Sequence, residues 1–175
     1  NVSCCSVREG GATGVFSLGV RRGSFRPLYF HNCYFHSGHP ITRYHTIRQA
    51  ARILSPPHSG FLAGDMNFAS DPSDRYDIKK LAFTKRDARA ASLFSEVERC
   101  GFVEVEQGHP THLHYEHSAL SRLDRVFVRL QAGDGDLVQI QSRVSDFPVR
   151  GVSYHRAGHV SWASGGVSEG TRRLK

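Results

Sequence analysis

Two short stretches carry residue types that can do chemistry together: Gly64-Asp65-Met66-Asn67 and Ser121-Arg122-Leu123-Asp124-Arg125. An ionised carboxylate accepts hydrogen bonds and can serve as a base or orient a water, whereas an amide both donates and accepts. Residues i and i+2 of an extended segment share a side, which predicts that Asp65 and Asn67 converge on one ligand. In the second stretch an aspartate flanked by arginines enters a strand whose Val126 and Val128 are expected to point inward, so Asp124 is held beside positive charge. Each stretch alone has a plainer reading. A lone G-D-x-N is most often a strand ending in an Asx turn, and an aspartate between arginines is most often a surface ion pair of little worth.

The elements that must position these residues follow from the hydrophobic pattern. Phe61-Leu62-Ala63 reads as a buried strand running into Asp65, and Ser70-Asp71-Pro72 opens a polar loop through Tyr76. Upstream, Val15 to Val20 and Leu28 to Phe35 form a hairpin around Arg21-Arg22-Gly23-Ser24. Pro40 then starts a helix to Leu54, with Ile41, Tyr44, Ile47, Ala51 and Leu54 on its apolar stripe and Arg43, Arg48 and Arg52 outward. A second helix is predicted from Lys85 to Cys100, capped by Thr84 and Asp87 and closed by Gly101. Short strands are expected at Phe102–Val105, Leu123–Leu130, Leu137–Ile140 and Val160–Ala163, with residues 164 to 175 a disordered tail. Mixed strands and crossing helices predict an α/β domain with sheets covered by helices.

Composition sets the class. A chain of 175 residues with 39% hydrophobic content fits one globular domain with a real core. Lysine and arginine number 23 against 16 acidic residues, a net charge of +7 and a pI near 9.6, which favours an anionic partner such as nucleic acid. Arg21, Arg22, Arg122 and Arg125 are the candidate phosphate contacts, with a solvated basic face as the competing reading. Cys4, Cys5, Cys33 and Cys100 show no paired spacing, so a reduced intracellular setting is expected. No apolar run approaches the ~20 residues of a membrane span. His109, His112, His114 and His117 cluster, but their spacing fits no common zinc pattern, and a solvated or DNA-facing loop is the preferred reading.

Together the G-D-x-N and S-R-L-D-R stretches resemble the endonuclease/exonuclease/phosphatase superfamily. The second stretch, with Pro110-Thr111 ahead of it, is most similar to the apurinic-type endonuclease domains of LINE-like retrotransposons. The resemblance covers roughly residues 11 to 163 and implies a four-layer α/β/β/α sandwich, two mixed sheets with helices outside, bearing a metal-dependent phosphodiesterase site. It implies Asp65 to orient or deprotonate the attacking water, Asn67 to bind phosphate, Asp124 to fix a catalytic histidine and Tyr34 to lie near the phosphate. Mg²⁺ or Mn²⁺ is the implied cofactor, DNA the partner and the nucleus the location. A hard divalent cation on oxygen ligands suits phosphodiester chemistry.

The sequence departs from the family pattern in two places. The family's asparagine and glutamate strands have no counterpart, Glu9 being the only early carboxylate, so the domain is expected to lack its N-terminal strands and expose sheet edges. The closing S-D-H motif has two registers. Ser145-Asp146-Phe147 keeps the aspartate, a metal-ligand candidate, and lacks the histidine; Ser153-Tyr154-His155 keeps the histidine and lacks the aspartate. The second is preferred for its Arg150-Gly151 lead, making His155 the catalytic histidine. The expected function is a retroelement-type DNA endonuclease of impaired activity. A catalytically dead fold with nonspecific nucleic-acid binding is the alternative, and a small-molecule or lipid phosphatase is disfavoured by the S-R-L-D-R form.

Overall fold

In the computed structural model, residues 2–9, 14–22, 26–114, 116, 118–131, 138–145, 154–156 and 158–164 are described. Six strands form the main sheet: β1 (Val2–Glu9), β2 (Val15–Arg22), β3 (Leu28–Tyr34), β4 (Gly60–Asp65), β10 (Asp124–Arg129) and β7 (Val103–Glu104), in that spatial order. Only β3 and β4 run parallel, and the helix α1 (Pro40–Leu54) crosses between them. A smaller sheet orders β6 (Ala82–Phe83), β5 (Arg75–Asp77), β9 (Ala119–Ser121) and β8 (His112–Leu113), and β11 (Val138–Val144) pairs antiparallel with β12 (Gly158–Ser164). Among the described residues, these sheets with two helices make a partial version of the expected sandwich.

The helices pack on the face of the main sheet where Cys33, Leu62 and Phe127 point. Ile47, Ala50 and Leu54 of α1 meet Phe94 and Val97 of α2 (Ala88–Arg99) there. Phe94 is the hub, its ring centroid 5.0 Å from that of Phe127, 5.6 Å from Phe68 and 6.2 Å from Phe35. Burying one such ring stabilises by about 1.5–3 kcal/mol. Pro40 begins α1 as predicted. The second helix starts three residues later than expected, because the Asp87 carboxylate accepts the Ala90 amide at 3.0 Å and is itself the cap. Gly101, at φ 90°, ends it.

Several expectations are corrected. β1 was not foreseen, and it occupies the edge of the sheet beside β2. The stretch read as a polar loop through Tyr76 contains a 3₁₀ turn (Pro72–Asp74) and the start of β5, with β6 following it, both strands too short to show a period. Ile41 is 72% exposed, while Arg43, expected outward, is buried with its guanidinium 2.9 Å from Asp87. On β10 it is Arg125, Phe127 and Arg129 that are buried on the helix side, with Val126 and Val128 only half-buried on the other. Residues 165 to 175, read as a tail, lie outside the described residues.

Arg129 explains how a cation enters a core. Its guanidinium donates to the carbonyls of Leu54 and His58 at 2.7 Å, Pro56 at 2.6 Å and Cys100 at 3.0 Å, and lies over the Phe102 ring. It thereby satisfies carbonyls near the C-terminal ends of both helices, where orphan acceptors gather. Burial pushes its proton affinity down, with no carboxylate acting against this.

Candidate active site

Tyr34, Asp65 and Asp124 end or begin three adjacent strands at the same level. Tyr34 is the register partner of Asp65 on β3, and Asp124 is its partner on β10, so all three share one face. This face is opposite to the helix layer. Gly64 makes the arrangement possible. Its φ is 150°, and a Cβ there would lie 1.8 Å from the Cys33 carbonyl oxygen, so only glycine lets β3 and β4 close at this point.

Beyond Asp65 the chain turns sharply. The Asn67 amide donates to Asp65 Oδ1 at 3.0 Å, and Asn67 adopts φ 50°, a left-handed conformation that asparagine tolerates better than most residues. The Asx turn and the chemical reading therefore coexist. The expectation that Asp65 and Asn67 share a side as i and i+2 of a strand does not hold, because β4 stops at Asp65. The Asn67 side chain lines a neighbouring groove and also interacts with the Asp65 carboxyl.

His155 joins this face through an isolated antiparallel bridge to His112. Its Nδ1 is 2.8 Å from Asp124 Oδ2, which fixes the ring beside the carboxylates. The His112 ring packs against it, centroids 4.6 Å apart, and burial followed by the neighbouring His155 pushes the His112 imidazole toward its neutral form. Asp65, Asp124 and His155 each offer a ligand atom within 4.8 Å of the others. Burial, then the Asp124 charge, raises the proton affinity of the Asp65 carboxyl. Two facing carboxylates short of positive charge form a donor set that suits a hard divalent cation completed by waters.

Thr111 is a positioning residue whose role the sequence did not reveal. Fully buried, it accepts the amides of Leu123 at 3.1 Å and Asp124 at 2.9 Å on its Oγ1 and so fixes the entry into β10. The two arginines of the motif serve a related end. Arg122 contacts Asp74 at 2.6 Å and also pairs with Glu104, while Arg125 grips Glu104 and donates to Ser70 Oγ at 2.6 Å. They bolt the loop after Gly64-Asp65-Met66-Asn67 to β10. Burial alone would raise the Asp74 carboxyl, but the Asp71 amide and the charges of Arg122 and Arg125 hold it below its usual range.

Of the predicted phosphate contacts, Arg122 and Arg125 are thus committed to carboxylates inside the fold. Arg21 is exposed at the far end of β2, about 20 Å along the strand from the level of Asp65. The Arg22 side chain and Asp146 lie outside the described residues. Tyr34 is 52% exposed beside Asp65, and Tyr154 is 44% exposed with its carbonyl accepting the Leu113 amide at 2.9 Å.

The same fold occurs in known structures. The endonuclease domain of TRAS1, a telomere-specific non-LTR retrotransposon, superposes with a TM-score of 0.63 at 21% identity, covering 94% of this chain and 67% of that one. The chain has the endonuclease/exonuclease/phosphatase fold. Within this superfamily an AP endonuclease from Archaeoglobus fulgidus matches with a TM-score of 0.59 and 14% identity, over 83% of this chain and 64% of that one. A Neisseria 3′ phosphatase, NExo, bound to product DNA hairpin matches with a TM-score of 0.60 and 17% identity, over 85% of this chain and 64% of the other. The chain thus spans about two thirds of the length of these three structures. No protein-family model and no curated protein sequence matches it. Among the described residues, no helix is long and apolar enough to cross a membrane.

Proposed function

We propose that the chain is a metal-dependent phosphodiester hydrolase acting on DNA, an endonuclease domain of the retroelement kind that works in the nucleus. The observation that carries this reading is the 2.8 Å contact of His155 with Asp124, directly across the strand pair from Asp65. Asp65, facing Asp124 across the strand pair, is placed to orient an attacking water. Asp124 accepts from His155 Nδ1, which holds the ring in place and stabilises it when charged near a phosphate. Asn67 supplies an amide donor beside Asp65, and Tyr34 a phenol on the same face. Asp65 and Asp124 would hold Mg²⁺ or Mn²⁺, which when bound neutralises charge developing on the phosphate.

Nicking of supercoiled plasmid by the full chain tests this. Nicking should require Mg²⁺ and vanish in Asp65→Ala and in Asp124→Ala. A folded chain that nicks at no protein or metal concentration would overturn it. A second reading has its own support: the residue before His155 is Tyr154, which lacks the carboxylate oxygens that Mg²⁺ prefers. On that reading the domain binds nucleic acid with hydrolysis impaired, and DNA binding survives Asp65→Ala unchanged.

A further inference from the structure

A groove of about 600 Å³ opens directly beside the three-residue cluster. Asn67 and Tyr154, chain neighbours of Asp65 and His155, form its inner wall together with His112. Its outer wall carries Arg75 on β5 and Lys85 ahead of α2, both exposed. Arg43 also lines it, but that guanidinium is paired with Asp87, the single carboxylate of the lining. Neither Arg75 nor Lys85 has a carboxylate partner among the described residues. Arg75 lies close enough to His112 for its charge to oppose protonation there.

These features do not resemble a structural ion-pair network. Three arginines near this end of the sheet are matched: Arg43 by Asp87, Arg122 by Asp74 and Glu104, Arg125 by Glu104. Two cations without a carboxylate partner among the described residues, in a groove lined by chain neighbours of the reacting centre, place positive charge beside it. A polyanion with regularly spaced phosphates needs that arrangement, whereas a small phosphate ester would use the centre alone.

We propose that this groove is the track for the nucleic-acid strand beside the reacting phosphate, with Arg75 and Lys85 contacting its phosphates. The proposal rests on the reading of Asp65, Asp124 and His155 as a phosphodiester centre, and it names residues that distinguish a polymer from a small ester.

The test compares two double variants of the full chain, each lowering the net charge by two. Arg75→Ala with Lys85→Ala alters the groove, and Arg48→Ala with Arg52→Ala alters the outward face of α1. Binding of a labelled 20-nucleotide single-stranded DNA is followed by anisotropy across a salt series, with thermal unfolding to show equal stability. The groove variant should flatten the slope of log affinity against log salt by about 1.4, some 0.7 for each lost phosphate contact, while the α1 variant leaves it unchanged. An unchanged slope in the groove variant, or the same loss in both, overturns the proposal. Wild type that shows the groove-specific slope yet never nicks plasmid keeps the track and overturns the hydrolytic reading instead.

Discussion

The two faces of β10 treat charge in opposite ways. On the helix side, Arg125 and Arg129 are buried with every neighbour arranged to accept from them, a carboxylate and a serine for one and four carbonyls for the other. On the other side, Asp124 faces Asp65 with the His155 ring against it, and the Asp65 carboxyl is driven toward protonation. The satisfied face is rigid support, as buried polar groups are when fully paired. The unsatisfied face keeps a deficit of positive charge that a cation or a donor-bearing substrate can fill. One strand therefore carries both the fixture and the reactive end, separated only by the alternation of its side chains.

The comparison can be broken at several points. Gly64→Ala should have the largest effect, since its Cβ would collide with the Cys33 backbone and both faces depend on that approach. Denaturant titration should show a loss beyond about 4 kcal/mol or no folded protein. Asp74→Ala comes next. It leaves Arg122 with Glu104 alone and strips the Ser70 and Asp71 amides of their acceptor, and each buried donor left unsatisfied costs about 1–3 kcal/mol. Thr111→Val, nearly isosteric, leaves two amides at the start of β10 without their acceptor and should cost about 1–3 kcal/mol by urea unfolding.

Asp65→Asn sharpens the contrast, because it should act oppositely on stability and activity. Nicking should fall by about 10²–10⁴-fold, the range for losing a general base. Stability should instead rise at neutral pH. The folded-state pKa of Asp65 is raised, so its ionised form is penalised as pH climbs above the unfolded value near 3.9, and below that pH the penalty is absent. The variant should melt on the order of 2 °C higher than wild type at pH 7, and the two should converge near pH 3. Asp74 has the opposite sign. Its depressed pKa contributes stability that is present above about pH 3.9 and is lost as pH falls through the folded value. Asp74→Asn should therefore be less sensitive to acid than wild type in a melting series from pH 5 to pH 2.

What the sequence revealed divides along similar lines. Helix α1 and strands β3, β4 and β10 were legible because apolar periodicity reports burial directly. Asp65, Asp124 and His155 were legible because their motifs are local in sequence. The burial of Arg43, Arg125 and Arg129 was not, since the polar pattern places a cation outward unless its acceptor is known. Of those acceptors, Asp87, Glu104 and Leu54 lie 44, 21 and 75 residues away. Strands β5, β6, β8 and β9 span two or three residues, too few to display a period. Arg75 and Lys85 belong to that region and carry no motif, so only their place beside Asn67 gives them significance.

Cys33 gives the reactive end a built-in reporter. Its thiol is 1% exposed, lies 3.6 Å from Met66 Sδ beneath the Gly64 crossing, and is pushed well above the ordinary thiol range by burial, then by the Asp65 charge. An alkylating reagent reacts with thiolate, so it should label this position only when β3 and β4 separate. The labelling rate at Cys33 then measures the opening free energy of the strands that hold Asp65. A cation that binds there and favours the closed state would appear as slower labelling, without any substrate being turned over.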